Sequence, residues 1–149
     1  MRLIKHALLT VITMFSISVN AQENQTIMTK EVIVTKFLNG FNDSSKIGES
    51  LALLTDDYHF TSPTGNDNSK IEFIESINEL ANVLTGVEIK KLAVSGNWVA
   101  VNYVFKSSIK GLEESTGNEW FRVENGKIQE SHLIYDASEW RKVFENMKK

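Results

Sequence analysis

The 149-residue chain has no cysteine, one proline and three histidines. Without cysteine it has no disulfide, no thiolate nucleophile and no zinc–sulfur site, so stability must come from an apolar core. A single proline, Pro63, excludes proline-rich linkers and recognition segments. No basic excess is present either: 16 Lys and Arg stand against 19 Asp and Glu. A mildly acidic chain lacks the electrostatic footprint of a nucleic-acid binder. P-loop, dinucleotide-binding glycine and Ser-His-Asp patterns are all missing.

Nor is there a hydrophobic run long enough to stay in a bilayer. The apolar stretch at residues 7–19 is about 13 residues long, against the roughly 20 a spanning helix needs. It follows a basic head of Arg2, Lys5 and His6, and it ends at Val19-Asn20-Ala21, small residues suited to a signal peptidase. These three zones predict a cleavable secretory signal at residues 1–21. The mature part, 22–149, is then one exported domain, periplasmic or secreted, with no stable membrane anchor after cleavage. Cleavage removes Arg2 and Lys5 and no acid, leaving 14 basic and 19 acidic residues and a net charge of −5.

What the mature chain does have is periodicity. Val34, Phe37, Leu38 and Phe41 form one helical stripe within a helix expected from Thr26. Ile47, Leu51 and Leu54 predict a shorter helix closed by Asp56-Asp57, followed by a strand at 58–62 and a loop at 63–68. Ser69 and Glu72 make a capping box for a helix bearing Phe73, Ile77, Leu80, Ala81 and Leu84, with Gly86 as its stop. The period then changes to two. Strands are expected at 87–94 and 98–106 around Ser95-Gly96-Asn97, then a polar connection at 110–117. A hairpin follows at 119–123 and 127–135, and a last helix at 137–147 carries Trp140 and Phe144. Helices followed by a mostly antiparallel sheet make an α+β domain.

The hairpin register has two solutions. A two-residue turn at Asn125-Gly126 puts Glu119, Phe121 and Val123 on one face with Ile128, Glu130 and His132. A three-residue turn at Glu124-Asn125-Gly126 pairs them instead with Ser131, Leu133 and Tyr135. The second is preferred, since it turns apolar groups inward and leaves Trp120, His132 and Ile134 outside. Alternation also places His59 outside. Asp56 and Asp57, with no His or Cys nearby, are weak metal ligands, and no metal or cofactor is expected.

Three stretches, in order, cover almost the whole mature chain: FLNGFNDSS leading into LALLTDDYHFTSPTG, then KIEFIESINELANVL, then WFRVENGKIQESHLIYD. This ordered set resembles the SnoaL-like branch of the nuclear transport factor 2-like superfamily. The resemblance implies a curved, mostly antiparallel sheet wrapped on a long helix, with an apolar pocket at the wide end of a cone. The superfamily includes ketosteroid isomerases, polyketide cyclases, dehydratases and noncatalytic binding or dimerising domains, and the fold does not choose among them.

Residue by residue, the isomerase chemistry thins out. The isomerases the chain resembles carry a carboxylate base at the end of the first strand, where this sequence has Ser62. Their first-helix tyrosine falls on Phe37, which has no hydroxyl. An acid remains only at Glu119. If it faces the pocket, burial beside Tyr103 and Phe121 raises its pKa; otherwise it is a solvated strand-end carboxylate. Asp136 matches a late aspartate of the cyclases and equally suits a helix cap. The preferred expectation is a noncatalytic pocket for a small apolar or amphipathic molecule, lined by Tyr58, Phe60, Tyr103, Phe121, Leu133 and Tyr135, with Ser62 and Glu119 as polar contacts. The alternatives are a cofactor-independent isomerase, cyclase or hydratase using Glu119 or Asp136, and a module that homodimerises through its outer sheet face.

Overall fold

The computed structural model describes residues 28–147. The expected signal at residues 1–21 lies outside them. Thr29 opens the first helix, its hydroxyl accepting from the Val32 amide, and α1 (Lys30–Asn39) buries Ile33, Val34, Phe37 and Leu38. Phe41 sits half-buried in the 3-10 turn Gly40–Asn42. Gly40 is needed there for space. A Cβ on it would stand 1.6 Å from Ser50 Oγ on α2 (Ile47–Leu51), which packs against this turn.

Leu54 does not extend α2. It starts β1 (Leu54–Ser62), and Asp56 and Asp57 lie exposed within that strand rather than closing a helix. The register of β1 slips between Leu54 and His59, so no clean alternation marks its first half in the sequence. Residues after Pro63 are not all loop: β2 (Gly65–Asp67) folds back on β1, pairing Ser62 with Gly65 and Phe60 with Asp67.

Ser69 caps α3 (Lys70–Leu80), its Oγ accepting from the Glu72 amide at 3.2 Å. The Glu72 carboxylate turns back one residue further than a standard capping box and accepts from the Asn68 amide at 2.7 Å. The helix ends at Leu80, before Gly86. That glycine lies in β3 (Leu84–Ser95) at φ +155°, where a Cβ would meet Asn42 Oδ1 at 2.7 Å. Asn42 Oδ1 accepts from the Val87 amide (2.7 Å) and its Nδ2 donates to the Val87 carbonyl (2.9 Å). β3 is a sheet edge, and this side-chain amide satisfies backbone groups that a further strand would otherwise pair.

The remaining elements are β4 (Trp98–Ser107), β5 (Glu114–Glu124), β6 (Lys127–Tyr135) and α4 (Ser138–Met147). The sheet order is β2-β1-β6-β5-β4-β3, antiparallel except between β1 and β6. The fold is thus α+β, a curved and mostly antiparallel sheet with helices on its inner side. Val99, Val101, Phe121, Val123 and Ile128 from the sheet meet Ile33, Val34 and Phe37 from α1 in one core. Among the described residues no helix is long and apolar enough to cross a membrane.

The β5–β6 hairpin takes one part of each register solution. The turn has two residues, Asn125 at φ 50° and Gly126 at φ 75°, so Glu124 pairs with Lys127 and Val123 with Ile128. The ladder then slips by one: Arg122 faces Glu130, Phe121 faces Ser131 and Glu119 faces Leu133. The unpaired residue is Gln129, a β-bulge. Ile128 and Ser131 therefore both point inward, although their spacing breaks the period of two.

Candidate functional site

The inner faces of α1, α3, α4 and the sheet line a half-open cavity of about 370 Å³. Its wall is largely apolar. Phe37 and Leu38 come from α1, Phe73 and Ile77 from α3, Phe105 from β4, Leu133 and Tyr135 from β6, and Trp140 and Phe144 from α4. Trp140 is held in place by its indole N–H, which donates to Ser115 Oγ at 3.0 Å.

One carboxyl group belongs to this wall. Alternation along β5 turns Gly117, Glu119, Phe121 and Val123 inward, and Glu119 is only 4 % exposed. Tyr103 Oη donates to Glu119 Oε2 at 2.7 Å, and Ser131 Oγ donates to Oε1 at 2.5 Å. Tyr58 Oη lies 2.6 Å from Ser131 Oγ. A serine hydroxyl has a single hydrogen. With that hydrogen directed at Glu119, the Tyr58 hydroxyl must donate to Ser131. The result is a chain of three hydroxyls converging on one carboxylate. Burial pushes the Glu119 pKa up to about 7, against the downward pull of the Ser131 and Tyr103 hydrogen bonds. Burial, reinforced by the charge on Glu119, also pushes the phenols of Tyr58 and Tyr103 well above their ordinary value.

No family model and no curated protein matches the chain. Solved structures do. A protein from Cytophaga hutchinsonii described as nuclear transport factor 2-like superposes with a TM-score of 0.66 at 18 % identity, covering 80 % of this chain and 98 % of its own. The fold is nuclear transport factor 2-like. A designed protein with a curved β-sheet gives 0.66 at 23 % identity over 80 % of this chain and 97 % of that one. A protein of ketosteroid isomerase-like fold from Catenulispora acidiphila, solved in complex with trimethylamine, gives 0.60 at 18 % over 74 % and 89 %. Identities this low establish the fold and nothing about activity.

In this nuclear transport factor 2-like cone, six of the residues singled out from the sequence reach the cavity wall: Phe60, Ser62, Tyr103, Glu119, Leu133 and Tyr135. Tyr58 and Phe121 do not. Both are fully buried behind the wall, with the Tyr58 ring 5.0 Å from Phe73 and the Phe121 ring 5.8 Å from Phe37. Tyr58 reaches the Glu119 carboxylate through Ser131 and supports the wall through Phe73. Ser62 is tied into the turn after β1: its Oγ donates to the Gly65 carbonyl (3.0 Å) and accepts from the Thr64 amide (3.3 Å). Thr64 Oγ1 in turn lies 2.9 Å from Tyr135 Oη.

Asp136 is not brought to the cavity. It is exposed at the entry to α4 and accepts from the Ser138 hydroxyl (2.6 Å) and amide (3.0 Å), which hold its carboxyl below the ordinary range. His59 and His132 are exposed, and His132 lies against Trp98 with ring centroids 5.8 Å apart. Trp120 and Ile134 are 46 % and 59 % exposed on the same outer face as His132. Among the described residues no three His, Cys, Asp or Glu side chains cluster as metal ligands. The preferred register already turns Ser131 to the face of Glu119, but its hydrogen bond to that carboxylate rests on a distance between strands that the sequence does not carry. Trp140 and Phe144 read only as residues of the last helix, not as cavity wall.

Proposed function

We propose that the cone cavity binds a small apolar or amphipathic molecule without transforming it, with Glu119 as its polar contact. A single observation carries this reading: a roomy, largely apolar cavity whose wall contains one buried carboxyl group. Concave apolar space with few placed polar groups is the usual form of a small-molecule site. The complex of one structural neighbour with a small amine is in keeping with it. Against chemistry stands the end of β1, where Ser62 is locked in a turn and has no base beside it.

A second reading has one observation in its favour. A carboxyl poised at about 7 is matched to proton transfer near neutral pH, as in a cofactor-independent isomerase or hydratase. One experiment separates the two. Native mass spectrometry of the purified mature protein is expected to reveal a co-purifying small molecule that returns unchanged after release and re-incubation. Conversion of that molecule on re-incubation favours the enzyme. An empty cavity that gives no thermal shift with a broad lipid and metabolite panel counts against both.

The binding reading includes export. The basic head, the short apolar core and Ala21 support delivery of the domain outside the cytoplasm. Amino-terminal sequencing of the protein recovered from outside the cytoplasm is expected to begin at Gln22. Recovery of a cytoplasmic chain that keeps residues 1–21 would exclude export.

A further inference from the structure

The cavity-binding reading leaves open what the polar end of the ligand is, and the hydroxyls around Glu119 bear on it. With Glu119 ionised, the hydrogens of Tyr103, Ser131 and Tyr58 make three bonds and none is left over. With Glu119 protonated, four hydrogens share the same three contacts, and one donor loses its partner. The arrangement is therefore complete for the carboxylate. Yet that carboxylate has no counter-charge: no Lys, Arg or His belongs to the cavity wall among the described residues. A buried anion answered by hydroxyls alone keeps most of its desolvation cost.

The surroundings favour one kind of relief. Phe60, Tyr103, Phe105, Tyr135 and Trp140 line the cavity that Glu119 enters. Aromatic faces attract cations, and ammonium groups above all when water is excluded. We propose that the ligand is an organic cation, an amine or quaternary ammonium whose positive head pairs with Glu119 and whose apolar body lies on the aromatic wall. A neutral head leaves the carboxylate uncompensated, and an anionic one meets it with like charge.

The other titratable groups near Glu119 do not compete for this role. Tyr103 from β4, Tyr58 from β1 and Tyr135 from β6 are all pushed upward by burial and stay neutral at physiological pH. Asp67 from β2 is raised by burial and held by Ser76, and it acts on Tyr58 rather than on the cavity. α1 and α3 bring no charged side chain to the wall.

Benzyltrimethylammonium and neopentylbenzene test the inference. The first carries a permanent charge and the second is its neutral carbon isostere, so neither ligand titrates in the comparison. Equilibrium dialysis with the wild-type mature chain is expected to show the cation bound at least tenfold more tightly at pH 8. Its affinity should fall towards tenfold per pH unit below about pH 6, as protons compete for the carboxylate. E119Q should remove both the preference and the slope; should that variant not fold, the wild-type slope decides alone. Equal binding of the two compounds, or a cation affinity flat from pH 5 to 8, overturns the organic-cation inference and leaves the cavity-binding reading standing. Failure of both compounds to bind at any pH overturns the inference and weighs against that reading as well.

Discussion

In E119Q, the gain in unfolding free energy over wild type is expected to be ~2–3 kcal/mol larger at pH 8 than at pH 5. The sign follows from the direction of the shift. Burial raises the folded-state pKa of Glu119 to about 7 from a model value of 4.5. Between those values the folded chain holds a proton that the unfolded chain has lost. Wild-type stability from this group is therefore complete below about pH 4.5 and is lost as pH rises through 7. Glutamine keeps the shape and carries no charge, so the pH-dependent loss disappears. Any fixed cost of rearranging the Tyr103 and Ser131 hydrogen bonds is the same at both pH values and cancels in the difference. Urea unfolding of both chains at pH 5 and pH 8 measures it. A difference within experimental error would mean that Glu119 is hydrated or paired in solution.

The second large effect belongs to Phe37. Its ring packs edge-on against Phe41 at 5.4 Å and Phe121 at 5.8 Å, and lies 6.3 Å from Phe73. It is 2 % exposed and joins α1 to both the sheet and α3. F37A removes a buried aromatic from the junction of three elements and is expected to cost about 3–5 kcal/mol. In urea the midpoint should fall sharply with little change in slope. A loss below about 1 kcal/mol would show that α1 can settle into the existing cavity and close the gap.

Much of the architecture was legible because it follows from strong local signals. The α1 stripe, the serine cap at Ser69 and the odd-numbered inner face of β4 each have one dominant physical cause, whereas the hairpin turn has two residues, Asn125 and Gly126, against the three preferred from the sequence. Errors arose where that cause was missing. The first half of β5 is polar from Glu114 to Asn118, so nothing apolar announced a strand whose pairing is set by β4. Asp56 and Asp57 looked like a helix end because the slipped register of β1 hides its alternation. Gly86 looked like a helix stop; its real constraint is the Asn42 amide, 44 positions earlier in the chain.

The site was half legible for a similar reason. Glu119 and Tyr103 follow from strand alternation alone, whereas Leu133 and Tyr135 follow only with the preferred hairpin register, which turns apolar groups inward. The preferred register puts Ser131 on the Glu119 face by way of a three-residue turn, and the structure reaches the same face by a two-residue turn and a bulge at Gln129. Alternation with Phe60 and Ser62 turns Tyr58 inward, as expected, but the fold uses it one layer deeper than the wall, as the last donor behind Ser131. Hydroxyl relays of this kind depend on distances between strands, which no single-strand pattern carries.

The cavity wall begins at Phe37 and is not complete until Phe144. During synthesis, then, the pocket wall is incomplete until α4 has emerged and packed. On the binding reading proposed above, a captured ligand reports that every element from α1 to α4 has folded into place.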